Sequence, residues 1–142
     1  MFRIITVILF TLGFSAYSND IDVAQYTKAA EQGQSWAQYN LGVMHEQGKG
    51  VVQDYKKAVH WFTQSAEQGY LLAQFNLGFM FVGKKGIAVD YSKAYIWWFI
   101  AAKNGHKKSL KNRDIIAKQL SPTELEAAQA AASKLYDKIN SK

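Results

Sequence analysis

The sequence predicts an all-α protein, a solenoid of antiparallel helix pairs closed by a C-terminal capping helix. Three observations lead there. The stretch AQYNLGVM, Ala37 to Met44, returns as AQFNLGFM, Ala73 to Met80. Apolar residues within each copy recur at helical spacing rather than alternating. A shift of about 36 residues also superimposes Gly33, Gly69 and Gly105; Ala30, Ala66 and Ala102; and Asp54-Tyr55 on Asp90-Tyr91.

The chain opens with a segment that does not belong to this fold. MFRIITVILFTLGFSAYS carries one basic residue, an apolar run from Ile4 to Phe14, and small residues at Ala16 and Ser18. This is the pattern of a signal peptide (1–18), cleaved between Ser18 and Asn19. The alternative is a retained membrane anchor, but the run is roughly half the ~20 residues a bilayer-spanning helix needs. The short, singly charged leader looks bacterial. With no cysteine, neither a disulfide nor a lipoprotein thiol is available. The expected mature protein is therefore exported, periplasmic or secreted, and stabilised by packing alone.

Residues 19–33 read as the second helix of a degenerate half unit, with Ala30 and Gly33 in register. Residues 34–69 and 70–105 are two full units, identical at about fifteen positions. In the first, SWAQYNLGVMHEQ puts Ala37, Leu41, Met44 and Gly48 on one helical face. The loop GKGVVQ follows, and Asp54 then stands as an N-cap before YKKAVHWFTQSAEQ. In that segment Ala58, Trp61, Phe62, Ser65 and Ala66 make a second stripe, ended by Gly69 at a left-handed C-cap. A glycine inside a helix costs about 1 kcal/mol relative to alanine, so Gly42 and Gly78 are expected where two helices approach closely, with Trp61 filling the space between them. Trp97 and Trp98 correspond to Trp61 and Phe62, and the cluster YIWWF, Tyr95 to Phe99, is expected in the core.

Residues 106–142 hold a partial third unit, HKKSLKNRDIIAKQ, and then Ser121-Pro122-Thr123-Glu124, the signature of a capping box. The Ala-rich amphipathic helix after it is expected to cover the unmatched apolar end of the stack. Six or seven helices and no strand are predicted.

The pattern of LG followed by Met, then G-x-G-V-x-x-D-Y-x-K-A-x-x-W, then AAEQG closely resembles the Sel-one-like repeat (SLR) family, a branch of the tetratricopeptide superfamily. Residues Gln34 to Gly69 match almost throughout, and Tyr70 to Gly105 match except that Lys84 replaces the first loop glycine and Ala88 and Val89 vary. The resemblance implies a right-handed superhelix used as a protein-binding scaffold. Some cysteine-rich members bind or hydrolyse β-lactams, so such an enzyme is the alternative reading, and the missing cysteines leave it without support.

In a superhelix of paired helices the first helix of each unit lines the inner face. Positions pointing away from the Ala37, Leu41, Met44 stripe are Trp36, Asn40 and Val43 in the first unit, Leu72, Asn76 and Phe79 in the second, and Lys108, Asn112 and Ile115 in the third. Asparagine recurs three times in register. Its amide offers two donors and an acceptor, so the ladder suits the backbone of an extended peptide held in a concave groove, with the apolar residues supplying contact. The competing reading is that each asparagine bonds its own repeat's backbone.

The balance of 17 basic against 11 acidic residues leaves about +5 once Arg3 is lost with the leader. Lys103, Lys107, Lys108, Lys111 and Arg113 precede the next acid, Asp114. This cluster is either a solvated face or a weak contact with an anionic surface. Export argues against nucleic acid, and a monomer is expected. His45, His60 and His106 form no ligand motif, the GKG and GKKG loops lack a phosphate-loop ending, and no serine sits in a recognisable triad pattern. The sequence therefore predicts no enzyme, no metal and no cofactor. It predicts an adaptor, or an immunity or inhibitor protein, that engages a partner protein.

Overall fold

The computed structural model describes residues 23–142; the expected leader, its cleavage position and the start of the N-terminal half unit lie outside them. Every regular element among the described residues is a helix: α1 (23–31), α2 (Ser35–Gln47), α3 (Tyr55–Ala66), α4 (Leu71–Met80), α5 (Tyr91–Lys103), α6 (Lys107–Ala117) and α7 (Pro122–Asn140). Each of α2 to α5 packs on the next in the chain, and α5 packs on both α6 and α7, giving the serial stacking of a repeat solenoid.

Helix ends follow the repeated letters. The Asp54 and Asp90 carboxylates accept hydrogen bonds from the Lys57 and Lys93 backbone N–H groups at 3.0 and 2.9 Å, capping α3 and α5. That bond is the main reason the Asp54 carboxyl is held below its usual value. Gly33, Gly69 and Gly105 all adopt positive φ, at 85°, 89° and 94°. After each, the next backbone N–H returns to a carbonyl five residues back: Gln34 to Ala29, Tyr70 to Ser65 and His106 to Ala101. These are three copies of one left-handed helix stop. Gly48 differs from expectation, being no part of the α2 face but its left-handed C-cap, at φ 66°.

The two mid-helix glycines do mark close approach. A Cβ on Gly42 would lie 2.6 Å from the Phe62 ring, and one on Gly78 2.2 Å from Trp98 Nε1. Phe62, fully buried, therefore fills the space assigned above to Trp61, which is half-buried beside Ala30, Ala37 and Leu41. The reason is angular: one residue along a helix turns the side chain by ~100°, and position 62 is the one that faces α2. In the next pair Trp98 takes that place, and its indole N–H donates to the Phe75 carbonyl at 3.0 Å, which satisfies a polar group that phenylalanine does not bring. Tyr95, Trp97 and Trp98 are buried as expected, while Phe75, Phe81, Ile96 and Phe99 are half-buried against the core.

Two buried glutamines in register stitch consecutive units. The amides of Gln38 and Gln74 each donate to the carbonyl of Ala30 and Ala66, at 3.2 Å in both cases, on the helix before. Their own carbonyls accept from Gln68 and Asn104, just past the end of the helix after, at 2.7 and 3.4 Å. Such groups are costly to bury unless paired, and here they are paired on both sides.

Helix α7 starts with the predicted capping box: the Ser121 hydroxyl accepts from the Glu124 N–H, and the Glu124 carboxylate from the Ser121 N–H. It caps the stack and also runs back along it. Ala128 packs with Ala94, Trp98 and Ile116, whereas Ile139 joins the central cluster of Ala58, Phe62 and Ala66. Nineteen residues at ~1.5 Å each give the helix the reach to bridge both pairs.

Candidate interaction surface

The first helices of the successive pairs are α2, α4 and α6. Each presents one stripe left uncovered by its neighbours, because packing consumes the opposite face: Ala37 and Leu41 in α2, Ala73, Leu77 and Met80 in α4, and Ser109 and Ile116 in α6 are buried. That side of the three helices carries the nine positions singled out from sequence, five of them exposed and four half-buried, Val43 among the latter packing against the central core cluster. Trp36, Leu72, Phe79 and Ile115 are 46%, 42%, 39% and 53% exposed, Lys108 is exposed, and Val43, Asn40, Asn76 and Asn112 are half-buried.

Aromatic rings shape this surface. Phe79 stands edge-on to both Phe75 and Trp98, at centroid distances of 4.9 and 5.1 Å, so an exposed ring is held in one orientation by two neighbours. Trp36 is held similarly, edge-on to Tyr26 at 5.8 Å with its indole N–H donating to the Gln34 side chain at 2.7 Å. Between α1 and α2 lies a cavity of about 410 Å³, lined by Val23, Tyr26, Asn40, Val43 and Met44 among others.

The asparagines do not behave alike. The Asn40 amide donates to the Trp36 carbonyl in its own helix at 2.8 Å. Asn76 instead addresses Tyr39 on the preceding first helix. Burial, and then the neighbouring Tyr70, push the Tyr39 hydroxyl above its usual value, and the Asn76 side chain works against that rise. Register alone could not separate these environments, because the neighbouring helix decides them.

The basic run is also divided by the fold. Lys103 leaves the group, its ammonium lying 4.1 Å from the centroid of Tyr136 on α7. Arg113 forms an ion pair with Asp114, its Nη2 2.6 Å from Oδ1. Lys107, Lys108 and Lys111 remain exposed on α6. The histidines lie on separate elements. His106 caps α6 by accepting from the Ser109 N–H at 3.2 Å, and His60 stacks edge-on to Trp61. His45 has a buried Nδ1 without a partner, and burial chiefly holds its basicity down. Among the described residues no three His, Asp or Glu side chains gather as a metal would require, and no helix is long and apolar enough to cross a membrane.

Sequence reasoning passed over Gln38 and Gln74. The signal was present: a polar residue identical in both copies and set beside a buried alanine, with Leu110 at the same register in α6.

The Sel1 repeat family model matches residues 26–34, 37–70 and 71–106, more than half of the chain. Among solved structures, a protective antigen present in uropathogenic Escherichia coli strains and displaying an SLR fold superposes with a TM-score of 0.78 at 35% identity. That match covers 82% of this chain and 25% of the antigen. A Sel1 repeat protein from Oxalobacter formigenes superposes with a TM-score of 0.67 at 28% identity, over 81% of this chain and 49% of its own. The chain thus spans about a quarter and about half the length of these two proteins. No curated protein matches it.

Proposed function

The chain belongs to the Sel1 repeat family, whose members are generally non-enzymatic scaffolds for protein interaction, and from that premise we propose an exported binding module that grips a partner protein along the faces of α2, α4 and α6. One observation carries the reading: the large apolar side chains Trp36, Leu72, Phe79 and Ile115 stand exposed on a single stripe that runs across all three first helices. Isolated exposed hydrophobics need no explanation, but a row of them in which the two aromatic rings, Trp36 and Phe79, are held by neighbours fits an interface, where rigid aromatic anchors supply most of the affinity.

The leader pattern supports a module that acts in the periplasm or outside the cell, and a protein without disulfides that binds one target suits regulation, adaptation or neutralisation of a toxin. Asn76 and Phe79 are the residues to alter. Asn76→Ala and Phe79→Ala variants with wild-type helicity by circular dichroism should lose at least tenfold in affinity for a partner captured from periplasmic extract, the effect of about 1.4 kcal/mol expected of an interface anchor. A partner that holds both variants as tightly as the wild type would exclude this face.

A further inference from the structure

The first helices change character along the chain, on the stripe at the register of Trp36 and beside it at the register of Tyr39. At the register of Trp36, α4 has Leu72 and α6 has Lys108; at the register of Tyr39, α4 has Phe75 and α6 has Lys111. Two positions that are apolar or aromatic in both full units thus become ammonium groups in the third. Lys107, one turn before Lys111, adds another. All three are exposed, and none is ion-paired among the described residues.

Their placement works against the helix that bears them. Lys107 and Lys108 are the first two residues of α6, whose first turn holds no acid, and a cation there opposes the partial positive charge of the helix N-terminus. An anionic partner relieves that repulsion. The other end of the stripe offers a cavity: Asn40 and Val43 edge the 410 Å³ space, lined also by Val23, Tyr26 and Met44 and by the polar Gln47 and Lys49, and it is roomy enough for a large apolar side chain.

We infer that the partner engages this face as an extended peptide with an apolar anchor toward one end and a run of carboxylates toward the other. The anchor seats between α1 and α2, and the carboxylates meet Lys107, Lys108 and Lys111. This rests on the stripe being the binding surface and adds the chemistry and direction of what lies on it. Exposed ion pairs are individually weak, so the lysines select and steer an acidic segment while the apolar end supplies affinity. An anionic membrane would satisfy the charges but has no chain to enter a cavity two helix pairs away.

Three fluorescein-labelled peptides of about twelve residues, roughly 3.3 Å each when extended, test this by anisotropy. The first carries Trp-Leu near one end and four Glu near the other; the second has Gln for each Glu; the third has Ala for the anchor. At low salt the acidic peptide should bind about tenfold more tightly than its Gln counterpart, the Ala peptide should bind weakly, and the preference should shrink at physiological salt. The K107Q/K108Q/K111Q variant should lose the preference, binding the Glu and Gln peptides alike.

Glu and Gln peptides that bind equally, with both lost in Phe79→Ala, would overturn the acidic partner and leave the interaction face standing. An acidic peptide that binds Asn76→Ala and Phe79→Ala as well as the wild type would overturn the face itself. Binding by none of the peptides, or binding instead to phosphatidylglycerol vesicles that the triple lysine variant abolishes, would also overturn the inference.

Discussion

The pairs α2–α3 and α4–α5 use nearly the same letters and fill the same gap with different chemistry. Beside Gly42 the filler is Phe62, a ring with no polar atom. Beside Gly78 it is Trp98, larger and obliged to place its N–H, which it does on the Phe75 carbonyl. The last turn of the first helix differs in the same way. Phe81 in the second pair lies under the Lys93 ammonium, 5.3 Å from ring centroid to Nζ, whereas the first pair has His45 and Lys57 in register. A repeat therefore fixes where the backbones meet and leaves the filling side chain free, provided that volume and hydrogen bonds are made up locally.

The largest break in that comparison comes from the glycines. Gly78→Ala puts a methyl group 2.2 Å from Trp98 Nε1, so the indole must move and lose its bond to Phe75; Gly42→Ala meets only the carbon edge of Phe62, at 2.6 Å. Urea unfolding should show losses of about 3 kcal/mol for Gly78→Ala and about 2 kcal/mol for Gly42→Ala, net of the helix propensity alanine restores. The double variant Gly78→Ala, Trp98→Phe should recover part of the loss. Equal stability of wild type and Gly78→Ala would mean that the two pairs do not depend on backbone approach.

The architecture was legible because its signals are local and repeated. The Asp54 and Asp90 caps, the three left-handed glycines and the Ser121–Glu124 capping box each need only a few neighbouring residues, and all appear where the letters place them. The contents of the interfaces were less legible. Choosing Phe62 over Trp61 as the filler depends on helix rotation at the level of one residue, and the pairing of Gln38 and Gln74 depends on carbonyls eight residues upstream that face them only after stacking. The stripe from Trp36 to Ile115 could be projected from periodicity, but not the split among its asparagines, nor the capture of Lys103 by Tyr136, since α7 bears no repeat pattern from which to place it.

Acidification sharpens the contrast between His45 and Phe81. Burial is the leading cause that holds His45 below the ordinary imidazole value, with Lys57 adding to it, while the Val52 backbone and Asp54 pull the other way. A base whose pKa is lower in the folded chain leaves the unfolded chain holding more protons, so folded stability is complete above the unfolded value of ~6.5 and declines as pH falls through it. The urea midpoint should drop between pH 7 and pH 5 in the wild type. His45→Phe, which installs the second pair's residue, should flatten that interval. Asp54 cannot mimic the effect, because its carboxyl is shifted downward from a reference near 4 and loses its contribution only in more acidic solution. A wild-type midpoint that stays level over this window would show that the imidazole is solvated as freely in the folded chain as in the unfolded one.

The smallest expected effect concerns the loop where the two pairs part company. Gly48 ends α2 at positive φ, but its counterpart Lys84 cannot adopt that conformation cheaply, and α4 accordingly stops at Met80, short of the register at which α2 ends. Lys84 then turns back to the first pair, with its ammonium 3.3 Å from the Glu46 carboxylate and 5.7 Å from the centroid of Tyr55. Both contacts are partly solvated, so together they should contribute no more than about 1 kcal/mol, screened by salt. Lys84→Gln should therefore lower stability by about 0.5 kcal/mol at low salt and by less in high salt, as read from urea midpoints. Lys84→Gly removes the same contacts while readmitting the left-handed conformation. If it proves no less stable than Lys84→Gln, the shortened α4 follows from backbone preference at this one position; a much larger loss would make the reach of Lys84 to Glu46 the device that joins the two loops.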